Sequence, residues 1–393
     1  MNRHSGVILA GLLLCCATSV FAQTQPTGPT SDFEAPPNMV LLYYGYDKNG
    51  PRDWTAERIK YYVGHYRERG TDAEVPVDTF FDTVLWMYRI SSRGHLFEAG
   101  AKHQPTTRPD WEECLGRLFE AGHQLNALEA ATAELETGLG RRVGVNVILT
   151  LPYPDVRVGA WGEVPGEPQW DFRSSDEPRL AAVRWYIDAA LKRWGEASFP
   201  HLRLLGFYWF NESHINLRDP QKIEDESLKS DVGLIRSVAR HVHSLRVAGR
   251  PLTLTWIPYS PYGGERVGVV AELLKSEPAE RIDYLMVQPN YFFARWKKER
   301  ADLTAVVRAA ASAGAGVEIE FDESLLRDEA ARQRLRDYLE VIPAEHPRWN
   351  AVPAGYYQGV RAVHELATHP ELASLYDELQ KFVVQRRTST PQP

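Results

Sequence analysis

Phe207-Tyr208-Trp209-Phe210-Asn211-Glu212-Ser213-His214 is the stretch around which this sequence is organised. A run of aromatic residues reads as a buried strand, and it ends abruptly in a polar tetrad that carries a carboxylate. A second run, Gly316-Val317-Glu318-Ile319-Glu320-Phe321-Asp322, alternates apolar and acidic residues, so its three carboxylates share one side of a strand. Strands that finish in carboxylates predict an acid/base site at one end of a sheet.

Outward from these two runs the same rhythm repeats. Strands are predicted at Met39–Tyr46, Phe81–Tyr88, Val143–Leu151, Leu202–Phe210, Leu252–Ile257, Ile282–Pro289, Gly316–Phe321 and Asn350–Tyr356. Helices are predicted at Asp53–Arg69, Asp110–Glu136, Glu177–Trp194, Glu224–Val247, Glu265–Lys275, Glu299–Ala313, Ser324–Val341 and Pro370–Val384. Eight short strands alternating with helices predict an α/β chain folded as a (β/α)8 TIM barrel, one domain over residues 38–385 with long βα loops. The competing architecture is an open doubly wound sheet. It carries a Gly-rich turn after its first strand, where this chain has Tyr44-Gly45-Tyr46-Asp47.

The composition narrows the function classes. Of 393 residues 44% are hydrophobic, enough for a large core, and the net charge of −7 gives no footprint for nucleic acid or an anionic membrane. The 11 Trp and 18 Tyr suit a carbohydrate partner, because flat amphipathic rings stack on sugar faces. Asn2, Arg3 and His4, the apolar run Val7–Val20 and the small-residue site Val20-Phe21-Ala22 read as a signal peptide over 1–22, cleaved near Ala22. That predicts a periplasmic or secreted protein with no membrane span in the mature chain, a flexible leader over 23–37 and a disordered tail over 386–393. Cys15 and Cys16 leave with the signal, and Leu14 argues against a lipoprotein. The remaining Cys114 is predicted buried and inert, on a helix.

In a barrel of this kind chemistry sits at the C-terminal ends of the strands. Those ends supply Tyr44, Tyr46 and Asp47; Tyr88 and Arg89; Tyr153 and Asp155; Trp209, Asn211, Glu212 and His214; Trp256 and Tyr259; Gln288, Asn290 and Tyr291; Glu320 and Asp322; and Tyr356 and Tyr357. Every end offers a hydrogen-bonding or aromatic group, which stability alone does not require. Glu212 and Glu320, after the fourth and seventh strands, are the candidate catalytic pair, and the other groups are candidate substrate contacts. Glycosidic cleavage needs two carboxyl groups, one protonated and one ionised; roughly 5–5.5 Å between them gives retention and a wider gap inversion. Glu318 reads equally as a structural or a catalytic carboxylate, and Asp322 equally as a helix cap. Trp161 and Trp170, on the long Pro152–Ser175 loop, and Arg93 and His95, beside Arg89, are further candidate sugar contacts. His241 and His243 lie on different faces of a helix, and no zinc spacing, phosphate loop, nucleophile elbow or dinucleotide fingerprint is present. No metal or cofactor is therefore expected. The acidic run Asp219–Asp231 reads as a solvated loop and helix start.

Asn211-Glu212 resembles the Asn-Glu pair of clan A glycoside hydrolases, and Ile319-Glu320-Phe321-Asp322 is similar to the seventh-strand motif of that clan's xylanases. The resemblance implies that Glu212 is the acid/base, Asn211 a ligand for a sugar hydroxyl and Glu320 the nucleophile. The eighth strand offers Tyr356 and Tyr357 where that clan commonly has Trp. Over most of the mature chain the sequence resembles the bacterial domain-of-unknown-function family 4855, through Leu42-Tyr43-Tyr44-Gly45, Phe81-Asp82-Thr83-Val84-Leu85, Gly206–Glu212 and Gly316–Asp322. That likeness implies a barrel engaged in glycan degradation. The expectation is a secreted, retaining glycoside hydrolase; a barrel that binds glycans without cleaving them, or a polysaccharide lyase using Tyr88, Arg89 and His95, are the alternatives.

Overall fold

Eight parallel strands close on themselves. In the computed structural model, which describes residues 36–68, 74–98, 104–212, 230–259, 271–293 and 300–388, they are β1 (Asn38–Asp47), β2 (Thr83–Tyr88), β3 (Val145–Leu151), β4 (Leu202–Trp209), β5 (Thr253–Trp256), β6 (Tyr284–Val287), β7 (Gly316–Glu320) and β8 (Ala354–Tyr357). Neighbours in sequence are neighbours in the sheet, and the register Asn38↔Ala354, Met39↔Gly355, Val40↔Tyr356 joins β8 back to β1. That closure excludes the open doubly wound sheet and makes the fold a (β/α)8 barrel. Strands this apolar read as continuous runs because both faces are covered. Two close approaches fix spacing in the wall: a Cβ on Gly206 would lie 2.0 Å from the Thr253 carbonyl, and one on Gly316 1.9 Å from that of Pro353.

Around the barrel run α1 (Ala56–Val63), α2 (Arg108–Leu118), α3 (Gln124–Leu139), α4 (Asp176–Ala197), α5 (Val232–Ser244), α6 (Arg300–Ala313), α7 (Glu329–Glu345), α8 (Ala362–Thr368) and α9 (Ala373–Thr388). The described residues form one compact unit. The helix predicted over Asp53–Arg69 is half that length. It stops at Gly64, where a Cβ would lie 2.7 Å from Leu135, and the Tyr376 hydroxyl takes up the carbonyls of Tyr61 and Gly64 at 2.9 and 3.1 Å. The chain continues into a hairpin, Gly64–Glu68 against Glu74–Thr79. The single helix predicted over Asp110–Glu136 is two, α2 and α3. The break spans residues 119–123, where Gly122 turns left-handed at φ +78°, and Gln124 opens the second helix at φ +39° while accepting from the Trp54 backbone N–H at 2.9 Å. The Ser324–Val341 helix begins later, after a 3₁₀ turn at Glu323–Leu326, and α8 was not anticipated.

The barrel floor corrects the boundary set for the C-terminal tail. Helix α9 runs to Thr388, and Arg386, 3% exposed, donates to Asn38 Oδ1 at 2.7 Å. Asn38 in turn binds Asp82 through its backbone N–H and its side-chain amide, both at 2.9 Å. Cys114 is buried as expected, 3.3 Å from the Tyr44 and Tyr186 hydroxyls, and its thiol is pushed up to about 12 by burial. The signal, nearly all of the leader, His214 and most of the Asp219–Asp231 run lie outside the described residues, as do most of the helix near Glu265–Lys275 and the end of the tail. No helix among the described residues is long and apolar enough to cross a membrane.

Candidate active site

The C-terminal ends of β1, β2 and β8, with the loop after β4, open onto a cavity of about 460 Å³. Tyr43, Tyr46, Asp47, Arg52, Arg89, Ile90, Glu98, Glu212, Tyr357, Gly359 and Val360 line it. A space of that size, walled by aromatic rings and a few charges, suits a sugar unit. Its two ion pairs differ. Arg52 Nε reaches Asp47 Oδ2 at 2.8 Å, a tight contact. Arg89 shares one oxygen of Glu98 between Nε and Nη2 at 3.4 and 3.3 Å, longer than such pairs usually are. A turn brings Glu98 there: the Phe97 N–H donates to the Arg89 carbonyl at 2.9 Å, folding residues 89–97 back on themselves.

Glu212 sits half-buried in the cavity wall. Its carbonyl accepts from the Tyr259 N–H at 3.0 Å, and its carboxyl receives one long hydrogen bond, from Gln288 Nε2 at 3.4 Å. Burial, and then the negative charge of Glu98, push this carboxyl up to about 8; Gln288 and Arg89 offset part of that, and Glu320 adds to it. Glu212 is thereby poised as a protonated acid at neutral pH.

Glu320 has the opposite surroundings. It is 2% exposed and outside the cavity lining. Its Oε1 accepts from the Asn290 N–H at 2.8 Å, and its Oε2 from the Phe292 N–H at 3.4 Å and the Tyr338 hydroxyl at 2.5 Å. Asn290 adopts φ +53°, a left-handed turn that asparagine tolerates, and so points successive N–H groups at one carboxylate. Its own amide donates to the Tyr259 hydroxyl at 2.8 Å. Burial raises Glu320 to about 7 against the pull of these donors, all of which favour the ionised form.

A third carboxyl interacts with both. Glu318 is 1% exposed, and neither of its oxygens has a hydrogen-bond partner among the described residues. Burial, then Glu320 and Glu212, hold it far above the usual carboxylate range, and the nearby Gln288 amide offsets only part.

The expected contacts divide into three groups. Tyr46, Asp47, Arg89, Glu212 and Tyr357 line the cavity. Gln288 and Asn290 hold the carboxyls of Glu212 and Glu320 from behind, and Tyr259 holds the Glu212 main-chain carbonyl. The rest turn away. Tyr44 bonds Cys114, Tyr88 bonds Glu113, Tyr153 bonds Asp231, Tyr291 bonds Asp337 and Tyr356 bonds Asn38, all with rings in the core. Trp209 and Trp256 are 1% and 0% exposed, the latter donating to the Asn211 carbonyl at 2.8 Å. Asn211 is no free sugar ligand here: its amide donates to Asp231 Oδ2 at 3.1 Å, inside the buried Arg179–Asp231 pair. Asp231 is accordingly the reverse of solvated. Asp322 caps the 3₁₀ turn by accepting from the Ser324 N–H at 2.8 Å. Asp155 is tied to Arg157 at 2.6 Å, and Arg93 and His95 both bind buried Asp110, at 2.7 and 3.0 Å. Trp161 and Trp170 stack on each other at 5.2 Å beneath their loop. Tyr43, Arg52, Glu98 and Tyr338 are site residues that the sequence reading passed over. Among the described residues no group of three or more His, Cys, Asp or Glu side chains is placed to hold a metal ion.

The family profile described as "Domain of unknown function (DUF4855)" matches residues 38–381, which span every strand of the barrel. The chain belongs to the DUF4855 family. No curated protein sequence matches it. Among solved structures it is similar to xylanase B from Clostridium stercorarium F9, at 11% identity and a TM-score of 0.43, covering 83% of this chain and 86% of that one. It is also similar to a GH18 chitinase from Pseudoalteromonas aurantia, at 11% identity and a TM-score of 0.42 over 88% and 99% of the two chains. A GH5-4 broad specificity endoglucanase from an uncultured bacterium shows 12% identity and a TM-score of 0.40 over 78% and 81%. The barrel assignment for this DUF4855 chain rests on its own strand pairing.

Proposed function

We propose that this protein is a secreted, retaining glycoside hydrolase acting on an oligo- or polysaccharide, with Glu212 as acid/base and Glu320 as nucleophile. The observation that carries the reading is the contrast between two carboxyls within electrostatic reach of each other. Glu212, on the cavity wall, has one weak donor among the described residues and is raised toward the protonated form. Glu320 faces two backbone N–H groups and a tyrosine hydroxyl that stabilise its negative charge. Environments that push two acids toward different protonation states assign their roles. Glu318, with no donor on either oxygen among the described residues, fits neither role.

In the first step a Glu320 carboxylate oxygen attacks the anomeric carbon. The glycosidic C–O bond breaks, its electron pair goes to the leaving oxygen, and Glu212 supplies the proton. In the second step Glu212 takes a proton from water, whose oxygen attacks the same carbon and displaces Glu320, so configuration is retained. The signal read over 1–22 supports an extracytoplasmic site of action.

One observation favours a second reading, a barrel that binds glycans without cleaving them: Glu320 is 2% exposed and does not line the cavity. Incubation with a panel of plant and bacterial glycans separates the two. Release of shorter sugars by wild type, lost by about 10²–10⁴-fold in Glu212→Gln, supports cleavage. Tight binding with no product from any glycan supports the second reading.

A further inference from the structure

The cavity is asymmetric in its hydrogen-bonding character. Arg89 is 58% exposed, its Nε and Nη2 share a single oxygen of Glu98 at 3.4 and 3.3 Å, and its Nη1 edge has no partner among the described residues. The phenols of Tyr43 and Tyr357 line the same wall, with ring centroids 5.8 Å apart, and their hydroxyls likewise have no hydrogen-bond partner among the described residues. Both lie within electrostatic reach of Arg89. A guanidinium fork and two phenols therefore face the cavity as donors. The acceptors beside them are partly engaged, Asp47 by Arg52 and by the Asn49 N–H at 2.6 Å, and one oxygen of Glu98 by Arg89 itself.

We infer that this donor-lined end of the cavity, built from Arg89, Tyr43 and Tyr357, is a receptor for an anionic sugar substituent, a uronate carboxylate or a sulfate ester, so that the glycan handled beside Glu212 is acidic. A planar fork with one open edge matches two oxygens of either group. A neutral pyranose leaves that edge without a charged partner. The tight Asp47–Arg52 pair leaves the cavity's other cation closed, so selectivity rests on Arg89. Both phenols are held above their ordinary value by burial, Tyr357 at about 12, and they remain donors at any physiological pH. This inference names the substrate of the site proposed above, and it rests on that reading for the step of cleavage but not for binding.

The test is calorimetric titration of the full-length Glu212→Gln protein with four probes: oligogalacturonides, chondroitin sulfate oligosaccharides, cello-oligosaccharides and chitosan oligosaccharides. Wild type is assayed in parallel for turnover of each. The expected result is binding of one acidic probe at least tenfold tighter than the neutral one. That preference weakens with salt, falls at least tenfold in Glu212→Gln/Arg89→Gln and is partly kept with Arg89→Lys. The galacturonide and sulfated arms tell carboxylate from sulfate. Equal affinity for neutral and acidic probes, preference for the cationic chitosan probe, or no effect of Arg89→Gln overturns the inference, and a neutral glycan cleaved at an unchanged rate by Arg89→Gln does so while leaving the hydrolase reading intact. Arg89-dependent binding of an acidic probe with no turnover in wild type upholds the receptor and removes the hydrolase.

Discussion

The Tyr338 hydroxyl donates to Glu320 Oε2 at 2.5 Å, joining helix α7 to the end of strand β7. A hydrogen bond to a charged acceptor is worth about 1.5–3 kcal/mol. Tyr338→Phe is expected to lower kcat by roughly 10- to 100-fold. Because the lost donor favoured the carboxylate, the acid limb of the pH–rate profile is expected to move to higher pH. A merely structural tyrosine would lower the melting temperature and leave that limb in place.

Activity requires Glu320 ionised and Glu212 protonated. Both are raised above the ordinary glutamate range, to about 7 and about 8, first by burial. Activity is therefore expected to rise as pH increases through the titration of Glu320 and to fall as Glu212 loses its proton. The two interact, so the limbs belong to the pair. A kcat/KM profile peaking at neutral to mildly alkaline pH is expected; a peak in the range of an unperturbed glutamate, about 4–5, would contradict the assignment.

Glu318 makes the folded state sensitive to alkali. Its folded-state value is raised, so its contribution is fully present below the unfolded value and is lost as pH rises through the folded one. Glu318→Gln is expected to leave stability at pH 4 nearly unchanged and to increase it at pH 8, because the amide has no proton to lose on unfolding. Urea unfolding at the two pH values measures this directly.

Arg179 and Asp231 pair at 2.7 Å with both side chains fully buried, and Asp231 also accepts from Tyr153 at 2.9 Å and Asn211 at 3.1 Å. Removing one charge strands the other. Asp231→Asn is expected to destabilise the fold by about 3–5 kcal/mol, read as a lower urea midpoint. It should also lower activity, since Asn211 immediately precedes Glu212.

The barrel was legible because each strand carries a dense apolar run and a polar terminus, and closure follows from eight such units. The site was legible only in part, for reasons of periodicity. Tyr43 and Tyr357 face the cavity while their neighbours Tyr44 and Tyr356 face the core. In adjacent tyrosines composition cannot tell the two faces apart, and a slip of one residue exchanges them. Glu98 lies on a turn that returns to Arg89 through main-chain hydrogen bonds, which no side-chain pattern announces. Tyr338 reaches Glu320 from a helix, where an amphipathic pattern marks it only as core. Gly122 and Gln124 separate two helices through left-handed backbone angles and a side-chain bond to Trp54, and a single glycine in an otherwise helical stretch does not announce such a break.

Azide rescue of Glu320→Gly, with product anomers followed by ¹H NMR on whichever glycan wild type cleaves, tests the central claim most directly. The expected result is retained configuration from wild type, no turnover by Glu320→Gly alone, and an inverted glycosyl azide once azide occupies the space left by the carboxylate. Cleavage by Glu320→Gly at the wild-type rate, or an inverted product from wild type itself, would contradict it.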